Sequence, residues 1–197
     1  MNRAIVFQNN QILKMAHIDL PEGLPGIRGP MAFRPETAKP MNQLAEILLR
    51  DDNNSLTRGE RELIGAYVSS LNNCFFCENV HSALAQHYFQ CDSSFMNMLL
   101  KDHQHAPVSE KLKSLLSIAG SVQKGGKNVT SDQIEKARKE GATDIEIHDT
   151  VLIAAAFCMF NRYVDGLNTW TPTDRNIYLS RAKMRAEEGY LDFDPRK

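Results

Sequence analysis

The sequence predicts an all-α protein. Three capping boxes stand along it, Thr57 with Glu60, Thr130 with Gln133 and Thr143 with Glu146, each a helix-start signal. Apolar residues recur at helical spacing after these starts, and no stretch beyond a few residues alternates with the period of a strand.

Residues 1–35 carry most of the turn formers (Pro21, Gly23, Pro25, Gly26, Gly29, Pro30 and Pro35) and read as an irregular arm over a helical body. Residues 36–197 read as one helical domain. Pro40 suits the first turn of a helix through MNQLAEILLR, with Leu44, Ile47 and Leu48 on one face. The box at Thr57 opens a helix through ERELIGAYVSSLN, which Asn72 and Asn73 end, and the next helix, FCENVHSALAQHYF, begins at a pair of cysteines. Asp92 caps SSFMNMLLKDH. Ser109 caps EKLKSLLSIAGSVQ, whose Leu112, Leu115, Leu116, Ala119 and Val122 share a face.

Gly141 stops the helix that Thr130 starts. Thr143 then opens a long apolar helix, IHDTVLIAAAFCMFNRYVDGLN, expected at the centre of the core. It is apolar on more than one face, so it requires burial within the chain or against partner subunits. RNIYLSRAKMRAEEG is the last helix, ended by Gly189. Glu62 precedes Cys74 by 12 positions and Glu146 precedes Cys158 by the same interval, which hints at an internally duplicated helical unit. The capping boxes at Thr57 and Thr143 give a register differing by two, so the duplication stays open.

At 197 residues the chain is long enough for one domain with its own core, and its 42% apolar and 24% charged residues are ordinary for a globular protein. A formal net charge of −1, with basic residues scattered among acidic ones, argues against a nucleic acid or an acidic membrane surface as partner. The amino terminus lacks a signal-peptide pattern and no apolar run approaches the roughly 18 residues a membrane span needs. The expected setting is cytoplasmic. Ordinary thiols stay reduced there, so a cysteine pair points to redox or metal chemistry rather than to a structural disulfide.

That pair lies in NCFFCENVH. Cys74, Cys77 and His81 fall at i, i+3 and i+7, on one helical face. A helix start favours thiolate over thiol. Because an unperturbed cysteine is only a few per cent thiolate at neutral pH, a base one turn away, His81, matters for its reactivity. Glu62 lies on a stripe of the preceding helix that leads toward the cysteine turn. A lone glutamate is ordinarily a solvated surface residue; here a carboxylate could also orient the imidazole or pass protons through water. Zinc competes for the cluster, with Cys74, Cys77, His81 and His87 as ligand types, although His87 is about 100° off the shared face and no second ligand pair exists. Inert thiols are the third reading. Cys91 and Cys158 read as small core or loop residues and His103 and His105 as a surface loop pair, while Tyr163 and Asp165, after an apolar run, read as ordinary packing with a place in the lining of the same cavity as the alternative.

LTRGERELIGAYVSSLNNCFFCENVHSALAQ resembles the signature of the alkylhydroperoxidase D-like branch of the carboxymuconolactone decarboxylase superfamily: a glutamate, eleven residues, Cys-x-x-Cys, three residues and a histidine. Glu62, Cys74, Cys77 and His81 match it in turn. FNRYVDGLNT and the helical order extend the likeness over most of residues 40–185, and it is strongest to uncharacterised peroxidase-related members. In one respect the chain departs: Phe76 stands where characterised alkylhydroperoxidases place a second histidine, so that residue's relay role has no counterpart here.

The resemblance implies an alkylhydroperoxidase D-like helical bundle assembled as a homo-oligomer, a trimer or hexamer. It also implies a thiol-dependent peroxidase that draws electrons from a dithiol or thioredoxin-like donor. Cys77 would attack the peroxide, Cys74 would resolve the intermediate, His81 would be the base and Glu62 its orienter or proton relay. Thioredoxin-type helices argue instead for the first cysteine as nucleophile. No haem, flavin or nicotinamide motif is visible, and neither cofactor nor metal is required. The apolar surround of Phe75, Phe76, Val80 and Leu84 suits an organic hydroperoxide, and core packing explains the same residues equally well. Two alternatives stand beside this reading: a non-catalytic redox-sensing oligomer, and a carboxymuconolactone decarboxylase-like enzyme. Superfamily decarboxylases lack the cysteine pair, so the latter leaves it without a role.

Overall fold

The computed structural model describes residues 16–191 together with Phe7–Gln8 and Gln11–Ile12. Among them run nine α-helices: α1 (Arg28–Phe33), α2 (Pro35–Arg50), α3 (Arg58–Leu71), α4 (Phe75–Phe89), α5 (Ser93–Lys101), α6 (Glu110–Lys124), α7 (Ser131–Lys139), α8 (Asp144–Gly166) and α9 (Arg175–Glu188). Strand pairing among the described residues is confined to β1 (Phe7–Gln8) against β2 (Gln11–Ile12), antiparallel with Phe7 opposite Ile12. The protein is all-α. No helix of the described residues is long and apolar enough to cross a membrane.

The capping boxes form as expected. The Thr57 amide donates to Glu60 Oε2 at 2.8 Å while the Glu60 amide donates to Thr57 Oγ1 at 3.2 Å, and Thr130 and Thr143 open α7 and α8 in the same way. Asp92 and Ser109 cap α5 and α6. Gly141 and Gly189 follow α7 and α9 with φ of 91° and 72°, a conformation open to glycine without strain. Glu146 does more than complete its box: its carboxylate also takes Lys111 and Ser55, each at 2.7 Å, tying α6 and the α2–α3 loop to the start of α8.

The reading of residues 1–35 as an irregular arm needs correction. Within it, α1 occupies Arg28–Phe33, and α2 begins at Pro35 rather than near Pro40. The prolines misled because their position within a helix matters. Pro30 is the third residue of α1 and Pro35 the first of α2, where amides have no intrahelical partner to lose. Pro40 sits inside α2 instead. In its described part the His17 amide donates to Leu167 O at 2.9 Å and the Gly26 amide to Trp170 O at 2.7 Å. Residues 1–6, 9–10, 13–15 and 192–197 lie outside the described part.

The helix buried on all sides is α3, not α8. Every residue from Arg61 to Ser69 is buried, against α4, α6 and α8. Hydrophobicity along the chain pointed to α8 because α3 carries charged and polar side chains. Most of these polar groups find partners inside: Arg61 Nη1 donates to Asp51 O at 2.8 Å and Ser69 Oγ to Gly65 O at 2.8 Å, while Arg61 Nε is left without one. On α8, Ile153, Ala154, Phe157 and Phe160 face the core, while Ile145 (50%), Leu152 (36%) and Met159 (46%), spaced seven apart, are left exposed. The equal intervals Glu62–Cys74 and Glu146–Cys158 occupy different settings. The first spans a helix and a turn, the second runs within one continuous helix.

Gly65 sets how closely α3 and α8 approach. A Cβ there would stand 2.4 Å from Phe157 Cζ, among atoms of a packed ring rather than a flexible tip. Gly65→Ala should therefore cost roughly 1–3 kcal/mol by overpacking. Gly166→Ala, where a Cβ meets nothing within 4 Å, should leave Tm almost unchanged. Equal Tm values for the two variants in thermal unfolding would contradict this account of the interface.

Candidate active site

The α3–α4 turn builds the site. Asn72 ends α3, Asn73 turns the backbone at φ 57°, and the Cys74 amide donates back to Ser69 O at 3.0 Å. Asparagine is among the few residues that take this left-handed conformation readily. Cys74 becomes the N-cap of α4, and α4 folds back along α3. Two turns of α4 then bring His81 level with Glu62.

Glu62 is only 1% exposed, so the surface reading does not hold. Both of its oxygens are engaged. Oε2 lies 2.6 Å from His81 Nδ1, and Oε1 accepts the Tyr190 hydroxyl at 2.8 Å. A buried carboxylate is tolerable only with partners of this kind. The bond to Nδ1 fixes the His81 ring and leaves Nε2 for other work, and the edge-to-face contact with Phe157 at 4.5 Å holds the ring from the side. Burial first, and the Glu62 charge second, push the Tyr190 phenol well above its ordinary range, so it remains a proton donor to Glu62. Tyr190 is presented by a latch on α2: its amide donates to Glu46 Oε2 at 2.7 Å, Arg50 pairs with Glu46 at 3.1 Å, and Arg50 also reaches Ala186 O.

Both motif cysteines are buried free thiols. The expectation that a helix start favours thiolate does not carry over to Cys77, whose thiol is pushed well above the ordinary range. A hydrogen bond with Cys74 is the main cause, followed by desolvation, the proximity of Cys74 itself and, more weakly, the Asp165 charge; a hydrogen bond from Asn161 works the other way. Asp165 also hydrogen-bonds Cys74, and burial raises the Asp165 carboxyl above its usual range. Cys77 thus holds its proton at rest, and reaction requires a base to take it.

His81 shares a cavity with Cys77. A cavity of about 150 Å³ is lined by Cys77 and His81 together with Phe76, Val80, Leu84 and Phe157, among others. Cys74 does not line it. Phe76, standing where alkylhydroperoxidases carry histidine, packs edge-on against Tyr178 at 6.0 Å and over Gly26, where a Cβ would fall 2.2 Å from the ring. The second relay histidine is replaced by apolar wall.

The family model for carboxymuconolactone decarboxylases matches residues 35–88 and 92–171, more than half of the chain. This chain belongs to the carboxymuconolactone decarboxylase family. Three solved structures share its fold. A Ralstonia eutropha JMP134 protein described as an alkylhydroperoxidase AhpD core and uncharacterized peroxidase-related protein superposes with TM-score 0.70 at 24% identity, covering 79% of each chain. An uncharacterized peroxidase-related protein from Silicibacter sp. TM1040 gives 0.73 at 20% identity, covering 88% of this chain and 98% of its own. A protein of unknown function from Agrobacterium tumefaciens, described as a putative antioxidant defence protein AhpD, gives 0.63 at 20% identity, covering 74% and 97%. Among curated proteins, none matches this chain.

Within this family member the remaining candidates scatter. His87 stacks edge-on with Tyr88 at 5.6 Å, at the far end of α4 from the cysteines, and no group of three or more His, Cys, Asp or Glu among the described residues is placed to hold a metal. His105 is exposed and pairs with Asp102. His103 differs from the surface reading, being half-buried against Tyr67 and 3.1 Å from Ser117 Oγ. Cys158 is buried beside the Asn72 amide at 3.6 Å, and Cys91 follows α4.

Tyr190 and Asn161 are the site residues that sequence reasoning missed. Asn161 left a signal, a lone amide after the apolar run FCMF. It receives Asn72 at 2.8 Å and donates to Ser69 at 3.0 Å, which locks it beside Cys77. Tyr190 left none, because nothing near it in the chain indicates Glu62, 128 residues away.

A raised thiol pKa means less thiolate at any given pH. Alkylation of Cys77 by iodoacetamide, followed by peptide mass spectrometry, should therefore climb about tenfold per unit from pH 7 to 9 without reaching a plateau. Asn161→Ala, which removes the one lowering influence, should slow it further across that range. A plateau at or below pH 8 would show a thiolate already formed and contradict the burial argument.

Proposed function

We propose that this protein is a thiol-dependent peroxidase that reduces organic hydroperoxides by cycling Cys74 and Cys77 between dithiol and disulfide. The observation that supports this best is the shared cavity: it presents Cys77 and His81 together, with Glu62 fixed behind the imidazole and Cys74 kept out of the lining. That arrangement favours Cys77 over Cys74 as the sulfur that meets peroxide. Family membership and fold are compatible with decarboxylation as well; a decarboxylase would have no use for the buried cysteine pair.

In the proposed cycle His81 takes the Cys77 proton at Nε2, while Glu62 stabilises the imidazolium through Nδ1–H. The Cys77 sulfur attacks the terminal peroxide oxygen; the S–O bond forms as the O–O bond breaks, and the alkoxide recovers the proton from His81 and leaves as alcohol. Cys77 is now a sulfenic acid. Cys74 attacks it, an S–S bond forms, and hydroxide departs as water with the Cys74 proton, for which Asp165 is the adjacent acceptor. A dithiol or thioredoxin-like donor restores both thiols by exchange, returning two electrons and two protons and becoming a disulfide itself. Such a cycle needs a reducing compartment, in keeping with the cytoplasmic setting expected above.

With dithiothreitol as donor, the protein should turn over many equivalents of cumene hydroperoxide, and Cys77→Ser should abolish this. Glu62→Gln and His81→Asn should each lose at least about tenfold in kcat/KM, the double variant little more, because the two act as one unit. Tyr190→Phe should fall between these and the parent. A single turnover without recycling would instead indicate a redox sensor, and full activity in Cys77→Ser would end the peroxidase reading.

We also propose a homo-oligomer. The exposed stripe Ile145, Leu152 and Met159 on α8 is an apolar ridge of the sort that copies of the chain bury against one another. Sedimentation should give a mass at least twice 22.2 kDa at micromolar concentration. Leu152→Glu should shift it toward monomer, and a parent that sediments as a monomer would overturn the proposal.

A further inference from the structure

One wall of the active-site cavity is cationic. Arg181 and Arg185, one turn apart on α9, line the cavity with Arg28 of α1, and among the described residues the only carboxylate side chain in that lining is Glu188. The rest of the lining is mainly apolar, including Met31, Met41, Leu49 and Phe160. Two guanidinium groups at i and i+4 repel each other. Arg185 lies half-buried over the Tyr190 ring at 5.3 Å; burial lowers its hold on its proton, Tyr190, Glu188 and Glu62 act the other way, and the Arg181 charge lowers it again. Among the described residues no carboxylate lies within salt-bridge distance of Arg181. In a low-dielectric cavity an anion placed between such groups gains far more than it would in water.

From this lining we infer that the cavity binds an amphipathic carboxylate, with its apolar chain against the methionines and aromatic rings and its carboxylate held by Arg181 and Arg185. On the peroxidase reading above, the preferred substrate is then a fatty-acid-type hydroperoxide, with neutral hydroperoxides reduced less efficiently. The anionic head anchors at α9 and the peroxide group lies toward Cys77 and His81. Binding of the anion removes the repulsion between the two arginines, so affinity depends on the head group as well as on the chain.

Isothermal titration of the reduced protein with octanoate and with octanol separates these contributions without any turnover. Octanoate should bind at least about tenfold tighter, and 0.5 M sodium chloride should erode that preference. Arg181→Gln should remove most of the preference and Arg181→Lys should retain part of it. A fatty-acid hydroperoxide should also show a higher kcat/KM than its methyl ester. Equal binding of octanoate and octanol, or a preference untouched in Arg181→Gln, would overturn the inference. Selective octanoate binding without reduction of either hydroperoxide would leave the anion site standing and overturn the peroxidase reading alone.

Discussion

A carboxylate withdrawn from water, Glu62, holds this site together, and its burial is costly enough to organise what surrounds it. An ionised carboxylate inside a protein is tolerated only when its lone pairs are taken, and Glu62 has a donor on each oxygen. One donor comes from α4, the other from beyond the end of α9. Satisfying this single group therefore docks two distant segments on α3. The latch from Glu46 and Arg50 to the end of α9 serves the same end, since Tyr190 is useful only if its hydroxyl is held at Glu62.

The same burial shapes the chemistry. His81 gains an oriented ring and a partner for imidazolium. Cys77 has no such help at rest: its neighbour Cys74, desolvation and the Asp165 charge all oppose ionisation, and only Asn161 favours it. On the proposed cycle such a sulfur stays protonated until a base takes its proton, at the expense of a fast pre-formed thiolate. Phe76 and Tyr178 pack edge-on and wall the cavity with aromatic surface, so on the proposed cycle proton traffic runs through His81 and Glu62.

Local signals in the chain were read well where the physics is local. The capping boxes at Thr57, Thr130 and Thr143 need only residues three apart, and each forms. The shared face of Cys77 and His81 is a matter of helical spacing, whereas Cys74 is the extended N-cap of α4 and falls outside the cavity lining; Glu62 lies on a stripe that leads to the turn. Proline misled in α1 and α2 because its cost depends on helix position, which composition does not reveal. Hydrophobicity misled for the central helix, since Arg61, Glu62 and Ser69 look like surface residues until their partners are known.

By itself, then, the sequence determined the helices from α3 onward, most of their starts and stops, and a cysteine–histidine face with a glutamate in reach, because each depends on contacts within a few turns of one chain segment. Tertiary structure alone decided that Glu62 is buried and doubly bonded, that Tyr190 and Asn161 belong to the site, that Cys77 rather than Cys74 lines the cavity, and that arginines of α1 and α9 face it. Those outcomes rest on desolvation and on hydrogen bonds between segments as far apart as Glu62 and Tyr190. The energy of such a contact exists only once the intervening helices have packed.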